Sequence, residues 1–169
     1  MTSQSRTRTF TGWTDRENEA DRQFRTEIPR IATGRNVQLM KLRLGQMERR
    51  LEAARICVRV PRVGLYARTV NGQTPDRSLA AARQFAERMR WQLVREGTFT
   101  DCLNVTAAKD RYGWQQIKQH VKSGFADGVV ALTRATISPL LDEYETGLSW
   151  FATHSGFIAL VHAENVVPQ

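Results

Sequence analysis

With 169 residues, 41% of them hydrophobic, the chain can bury one ordinary core and an appendage but not two full domains. A net charge of +8 and a pI near 10.3 point to an acidic partner such as nucleic acid, because a basic surface gains affinity by releasing counterions from phosphates. Two cysteines, Cys57 and Cys102, fit neither a disulfide framework nor a metal-ligand spacing, and no apolar run approaches the roughly 20 residues of a membrane helix. The expectation is a cytoplasmic protein with buried or semi-buried free thiols and no charged leader running into an apolar segment.

Residues 1–36 are polar and rich in Arg, Thr and Glu, with Trp13, Phe24 and Ile28 as isolated apolar anchors. They read as a loosely ordered tail in which Thr14 caps a short helix through Asp15, Arg16 and Glu17, and which Pro29 and Gly34 interrupt. From 37 to 61 the pattern turns helical. Met40, Leu44, Met47, Leu51, Ala54 and Val58 recur alternately four and three apart, an apolar seam suited to packing on the domain or on a dimer mate. Lys41, Arg43, Arg49, Arg50 and Arg55 occupy the other faces, from which Lys41, Arg43, Arg49 and Arg50 are candidate DNA contacts. Pro61 ends the segment.

Residues 62–169 alternate between strand and helix patterns. Arg62 to Ala67 reads as a buried central strand, followed by a helix from Asp76 to Arg90, a strand from Trp91 to Phe99, a helix from Arg111 to Lys122, a strand from Phe125 to Leu132, a helix from Pro139 to His154 and a strand from Phe157 to His162. That order predicts an α/β domain with a mainly parallel sheet flanked by helices. Charge divides unevenly: residues 1–62 hold 14 Lys+Arg against 7 Asp+Glu, and the remainder 11 against 10, so the extension is basic and the α/β part nearly neutral.

The run Tyr66-Ala67-Arg68 resembles the first-strand motif of the serine recombinases, the resolvases and invertases. The resemblance continues through Asp101, the pair Asp110-Arg111 opening a helix, and Thr133-Arg134-Ala135-Thr136-Ile137 after the third strand, covering about residues 62 to 163. In that family a serine hydroxyl attacks a DNA phosphodiester while clustered arginines hold the phosphate. The resemblance therefore implies a phosphate cradle of Arg68, Arg111 and Arg134, with Asp101 as a further vestigial site residue. The departures fall on the chemistry: Val70 stands at the serine position, Thr133 at a late aspartate and Ile137 at a last arginine. Thr69 is the nearest hydroxyl and a weak candidate nucleophile. The residues after Val166 leave no place within this chain for the family's long dimerisation helix or a DNA-recognition module.

Other chemistries lack their residues. His120, His154 and His162 are not spaced as metal ligands, and no glycine-rich phosphate loop follows the first strand, so neither a metal nor a cofactor is expected. Asp142, Glu143 and Glu145 read as an acidic helix start that suits the helix dipole. Trp91, Trp114 and Trp150 read as core, and Trp13 as an interaction anchor. The resulting expectation is a degenerate resolvase-like protein that associates with DNA without cleaving it. The competing expectations are a protein-interaction or homodimerisation module acting through residues 37–59, and, third, an active DNA-cleaving enzyme.

Overall fold

The computed structural model describes the backbone of residues 14–105 and 107–164, with side chains from residue 34 onward. Trp13 and the side chains of Phe24 and Ile28 lie outside the described residues. Two units are formed, Met1–Arg35 and Asn36–Gln169. Within the first, the described backbone is helical from Thr14, the opening residue of α1 (Thr14–Ile56), and it stays helical at Pro29 and Gly34, where the sequence pattern predicts an interruption. A proline removes one hydrogen bond from the helical ladder, and the residues on either side of it can remain helical.

The second unit is built on four parallel strands in the order β2-β1-β3-β4: β1 (Arg62–Thr69), β2 (Gln92–Cys102), β3 (Gly128–Ala131) and β4 (Phe157–Leu160). The predicted parallel α/β architecture is present, and β1 is internal, hydrogen-bonded to β2 on one side and β3 on the other. Helices α2 (Asp76–Arg88), α3 (Tyr112–Lys122), α4 (Arg134–Ile137) and α5 (Leu141–Thr153) fill the connections. Strands β3 and β4 are buried at every position because both sheet faces are covered.

Alternation along β1 sends its side chains to two cores. Val63 and Leu65 pack with Ala82 and Ala86 of α2, Trp91, Val130 and Phe157. Tyr66 packs on the other face with Phe99, Trp114 and Ile117, and with Tyr144, Leu148 and Phe151 of α5. Helix α3 approaches the sheet closely at Gly64, where a Cβ would lie 2.5 Å from the Ile117 side chain.

The part of α1 from Asn36 onward packs on this unit, rotated from the predicted seam. Leu39, Arg43, Gln46 and Ala54 are buried, and Met47 and Leu51 pack against the α2-side core. Met40 is half-buried, and Leu44 is 40% exposed. Val58 is not helical at all. It has φ 52°, its N–H donates to Arg55 O at 2.9 Å, and Arg59 N–H donates to Ala54 O at 3.0 Å, the pattern of a helix C-terminal stop. The stripe turns because Arg43 reaches an acid: its Nε and a terminal nitrogen bond Glu164 at 2.7 and 3.1 Å, and Tyr144 donates its hydroxyl to the same carboxylate at 2.8 Å.

Both cysteines are exposed, correcting the expectation of buried thiols. Cys57 follows the last residue of α1 and Cys102 ends the edge strand β2, so neither has a second layer to cover it. Trp91 and Trp114 are buried as predicted, whereas Trp150 is only partly so, stacked on His154 at 4.0 Å with Lys118 Nζ 4.5 Å from its ring centre. Burial pushes the Lys118 ammonium below its ordinary pKa.

Candidate functional site

In an open parallel sheet, ligands bind outside the carboxyl ends of the strands, where successive connections leave in opposite directions. Here β1 connects toward β2 and β3 toward β4, so that point lies between β1 and β3. Arg68 is the penultimate residue of β1 and Asp101 of β2; Arg134 opens α4 just after β3, and Arg111 immediately precedes α3. The four residues singled out by sequence thus come from elements that share the carboxyl end of the sheet.

Asp101 is engaged structurally. One carboxylate oxygen accepts the Gly113 N–H at 2.8 Å, and the other accepts the Trp114 N–H at 2.8 Å and the Tyr66 hydroxyl at 3.0 Å. A strand carboxylate therefore satisfies the free amides that begin α3, a role the residue at the helix boundary, Arg111, does not fill with its own side chain. Gly113 permits this approach, since a Cβ there would lie 2.7 Å from Thr100 O. Burial, then the adjoining Asp101 charge, pushes the Tyr66 phenol far above its ordinary pKa.

The arginines turn toward main-chain carbonyls. Arg68 donates to Leu103 O at 2.5 Å and to Val105 O at 2.9 Å. Arg111, fully buried, donates its Nε to Val105 O at 3.1 Å and another nitrogen to Ile137 O, and it lies 3.7 Å from Glu143. Arg134 donates to Ser138 O at 3.1 Å and Pro139 O at 2.9 Å. Burial and the neighbouring Arg111 charge lower the pKa of Arg68.

Sequence reasoning missed the partners of this cluster. Ser138 is buried and donates its hydroxyl to Glu143, which also accepts the Ala108 N–H at 2.9 Å. Burial raises the Glu143 pKa, but the bonds from Ser138 and Ala108 and the charge of Arg111 outweigh it and hold the carboxyl below its usual range. Glu143 was expected only to complement the α5 dipole; it also ties the loops before α3 and after α4 together. The pattern Ser-x-x-x-x-Glu across a proline was the only local signal available.

Thr69 lies on the opposite side of β1 from Arg68, and its hydroxyl donates to Asp101 O at 3.4 Å. Val70 is exposed and opens a tight turn closed by Gln73 N–H to Val70 O at 3.0 Å, with Asn71 and Gly72 at φ 50° and 72°. Neither residue presents a hydroxyl toward the arginines.

Of the predicted DNA contacts on α1, Lys41 and Arg49 are exposed. Arg43 is buried in its pair with Glu164, and Arg50 donates to Asp127 at 2.8 Å; these two engage acids within the protein. No group of three or more His, Cys, Asp or Glu among the described residues is arranged to hold a metal ion. No helix among them is long and apolar enough to cross a membrane.

A four-stranded parallel sheet of this order, flanked by helices, is a resolvase-like α/β fold. Comparison with solved structures agrees. The chain is similar to the N-terminal catalytic domain of TP901-1 integrase, with TM-score 0.50 and 24% identity over 59% of this chain and 76% of that one. It is also similar to the C-terminal catalytic domain of ISC1926 TnpA, an IS607-like serine recombinase, with TM-score 0.54 and 17% identity over 63% of this chain and 71% of that one. No protein-family model matches the sequence, and no curated protein matches it. The chain has the fold of serine recombinase catalytic domains.

Proposed function

We propose that this resolvase-like protein associates with DNA and does not cleave it. The observation that carries the reading is the state of the strand ends: Val70 follows β1 with no hydroxyl to attack a phosphate, and Arg68, Arg111 and Arg134 spend donors on the carbonyls of Leu103, Val105, Ile137, Ser138 and Pro139. A DNA role is supported by the likeness to an integrase and a serine recombinase, by the net charge of +8, and by the exposed Lys41 and Arg49 on α1. Contacts of this kind are electrostatic and sequence-tolerant, so affinity falls steeply with added salt.

The test is a binding titration on mixed-sequence duplex over a salt series, with Lys41→Gln/Arg49→Gln against Arg111→Gln. The α1 pair should lower both affinity and salt slope; Arg111→Gln should leave the slope unchanged in whatever fraction remains folded. Absence of binding at low salt removes the DNA reading.

A second reading, a protein-interaction or homodimerisation module using residues 37–59, is favoured by Leu44, a seam residue left 40% exposed on α1. Sedimentation of the wild type and Leu44→Glu tests its homodimer form: a dimer that dissociates in the variant supports it, and a monomer in both removes it.

A further inference from the structure

We infer that the cleft between α1 and the turn joining α5 to β4 binds a terminal phosphate group. The cleft has a volume of about 230 Å³ and is lined by Gln46, Arg49 and Arg50 of α1 and by Ala152, Ser155 and Gly156. It lies at the opposite end of the sheet from Arg68 and Arg134, since Gly156 precedes β4 and Asp127, the partner of Arg50, precedes β3.

Two side chains lining it hold buried polar atoms that have no hydrogen-bond partner among the described residues: Gln46 Oε1 and Arg50 Nε. Gln46 is only 7% exposed. Buried polar groups are nearly always paired, so an unpaired acceptor and an unpaired donor on two side chains of one cleft mark a place for a polar guest, which reaches them as those side chains turn into the cleft. Charge selects the sign of that guest. Arg50 and Arg59 share the single carboxylate of Asp127, at 2.8 and 2.6 Å, which leaves one positive charge in excess. Arg49 adds a second at the rim, and no acidic residue among the described ones lines the cleft.

The opposing feature is the carboxyl end of α5, whose carbonyls favour cations. Those carbonyls are already occupied: Trp150 O accepts from His154 N–H, Phe151 O from Gly156 N–H and Ala152 O from Ser155 N–H, at 3.2, 2.7 and 3.1 Å. The donors left for a guest are the guanidinium N–H groups and the Ser155 hydroxyl, a set that matches tetrahedral oxyanion oxygens. Gln46 Oε1 needs a donor in return. A phosphate monoester, with a second pKa of about 6, supplies a P–OH in its monoanionic form. A backbone phosphodiester and sulfate have none.

The experiment is calorimetric titration at constant ionic strength and about pH 5, below the second phosphate pKa of about 6 so that the P–OH is present, with inorganic phosphate, sulfate, a sugar monophosphate, and one oligonucleotide carrying either a 5′-phosphate or a 5′-hydroxyl. Phosphate and the monophosphate should bind about tenfold more tightly than sulfate, the worth of one hydrogen bond to a charged group. Arg49→Gln and Gln46→Leu should each weaken phosphate binding by about that factor, and Gln46→Leu should abolish the preference over sulfate. Arg49 is exposed, and Gln46→Leu takes an unpaired polar atom out of a buried position, so both variants should fold, with unchanged circular dichroism as the check. A 5′-phosphate preference assigns the site to a DNA end, and a preference for the sugar phosphate to a small metabolite. Phosphate binding no better than chloride, equal affinity for sulfate, or unchanged affinity in both variants overturns the assignment and leaves a solvent-filled cleft.

Discussion

Arg68 and Arg111 donate to one acceptor, the carbonyl of Val105, at 2.9 and 3.1 Å. Two cations brought together by the end of a strand and the start of a helix are thus held by the protein's own loop. A phosphate arriving at this end of the sheet must displace that loop, and it meets no hydroxyl at Val70 when it does.

Incubation with supercoiled and nicked DNA, followed by denaturant quench, should therefore show neither nicking nor a slow-migrating protein–DNA species. Thr69→Ala should behave as wild type, because the Thr69 hydroxyl bonds Asp101 O on the far side of β1. A covalent species that vanishes in Thr69→Ala would make Thr69 a working nucleophile.

Asp101→Ala strands the amides of Gly113 and Trp114 and the Tyr66 hydroxyl. Stability should fall by at least about 2 kcal/mol, from an uncapped helix plus buried unpaired donors. Tyr66→Phe, which removes one donor and keeps the ring, should cost about 1 kcal/mol. Denaturant midpoints measure both; equal small losses would mean that Asp101 does not hold α3.

Removing one partner of the buried Arg43–Glu164 pair, as in Glu164→Gln, should cost about 3–5 kcal/mol, since the other charge is left in a dry site. Arg43→Met/Glu164→Leu should recover part of that loss. A double-mutant cycle with no coupling would contradict the pair.

Acid should destabilise the fold through three carboxyls. Burial raises the pKa values of Asp127 and Glu164, but bonds from Arg59 and the Arg62 amide in one case, and from Arg43 and Tyr144 in the other, outweigh it and hold both below their usual values of 3.8 and 4.5. Glu143 is lowered likewise. A depressed folded pKa means the unfolded chain takes up protons first, so this stability is complete above the usual carboxylate values and is lost as pH falls through the folded ones. Unfolding midpoints from about pH 7 down to about pH 3 should decline mainly below about pH 4.5, and less so in Asp127→Asn.

Val58 holds a left-handed conformation at φ 52° while 92% exposed. A β-branched residue is strained there, so Val58→Gly should stabilise the protein by about 1 kcal/mol. A lower thermal midpoint would show that the helix stop depends on the valine side chain.

Much of this was written locally in the chain. Hydrophobic periodicity determined the parallel α/β domain, because a strand buried on both faces and an amphipathic helix each leave a short-range pattern whatever surrounds them. The resemblance of the motifs to the serine recombinases implied that Arg68, Asp101, Arg111 and Arg134 lie near one another, and the elements that carry them meet at the carboxyl end of the sheet. Tertiary structure alone decided what those side chains do. Arg43 turns inward because Glu164, 121 residues later, supplies a buried carboxylate, and this rotates α1 away from its apparent Met40–Leu44 seam. Asp101 caps α3, and Glu143 joins Ser138 to Arg111, through contacts between elements. A side chain's character can be read from its neighbours in sequence, but the partner of a charge or a hydrogen bond is chosen by whatever the fold brings within about 3 Å, and the chain carries no local record of that choice.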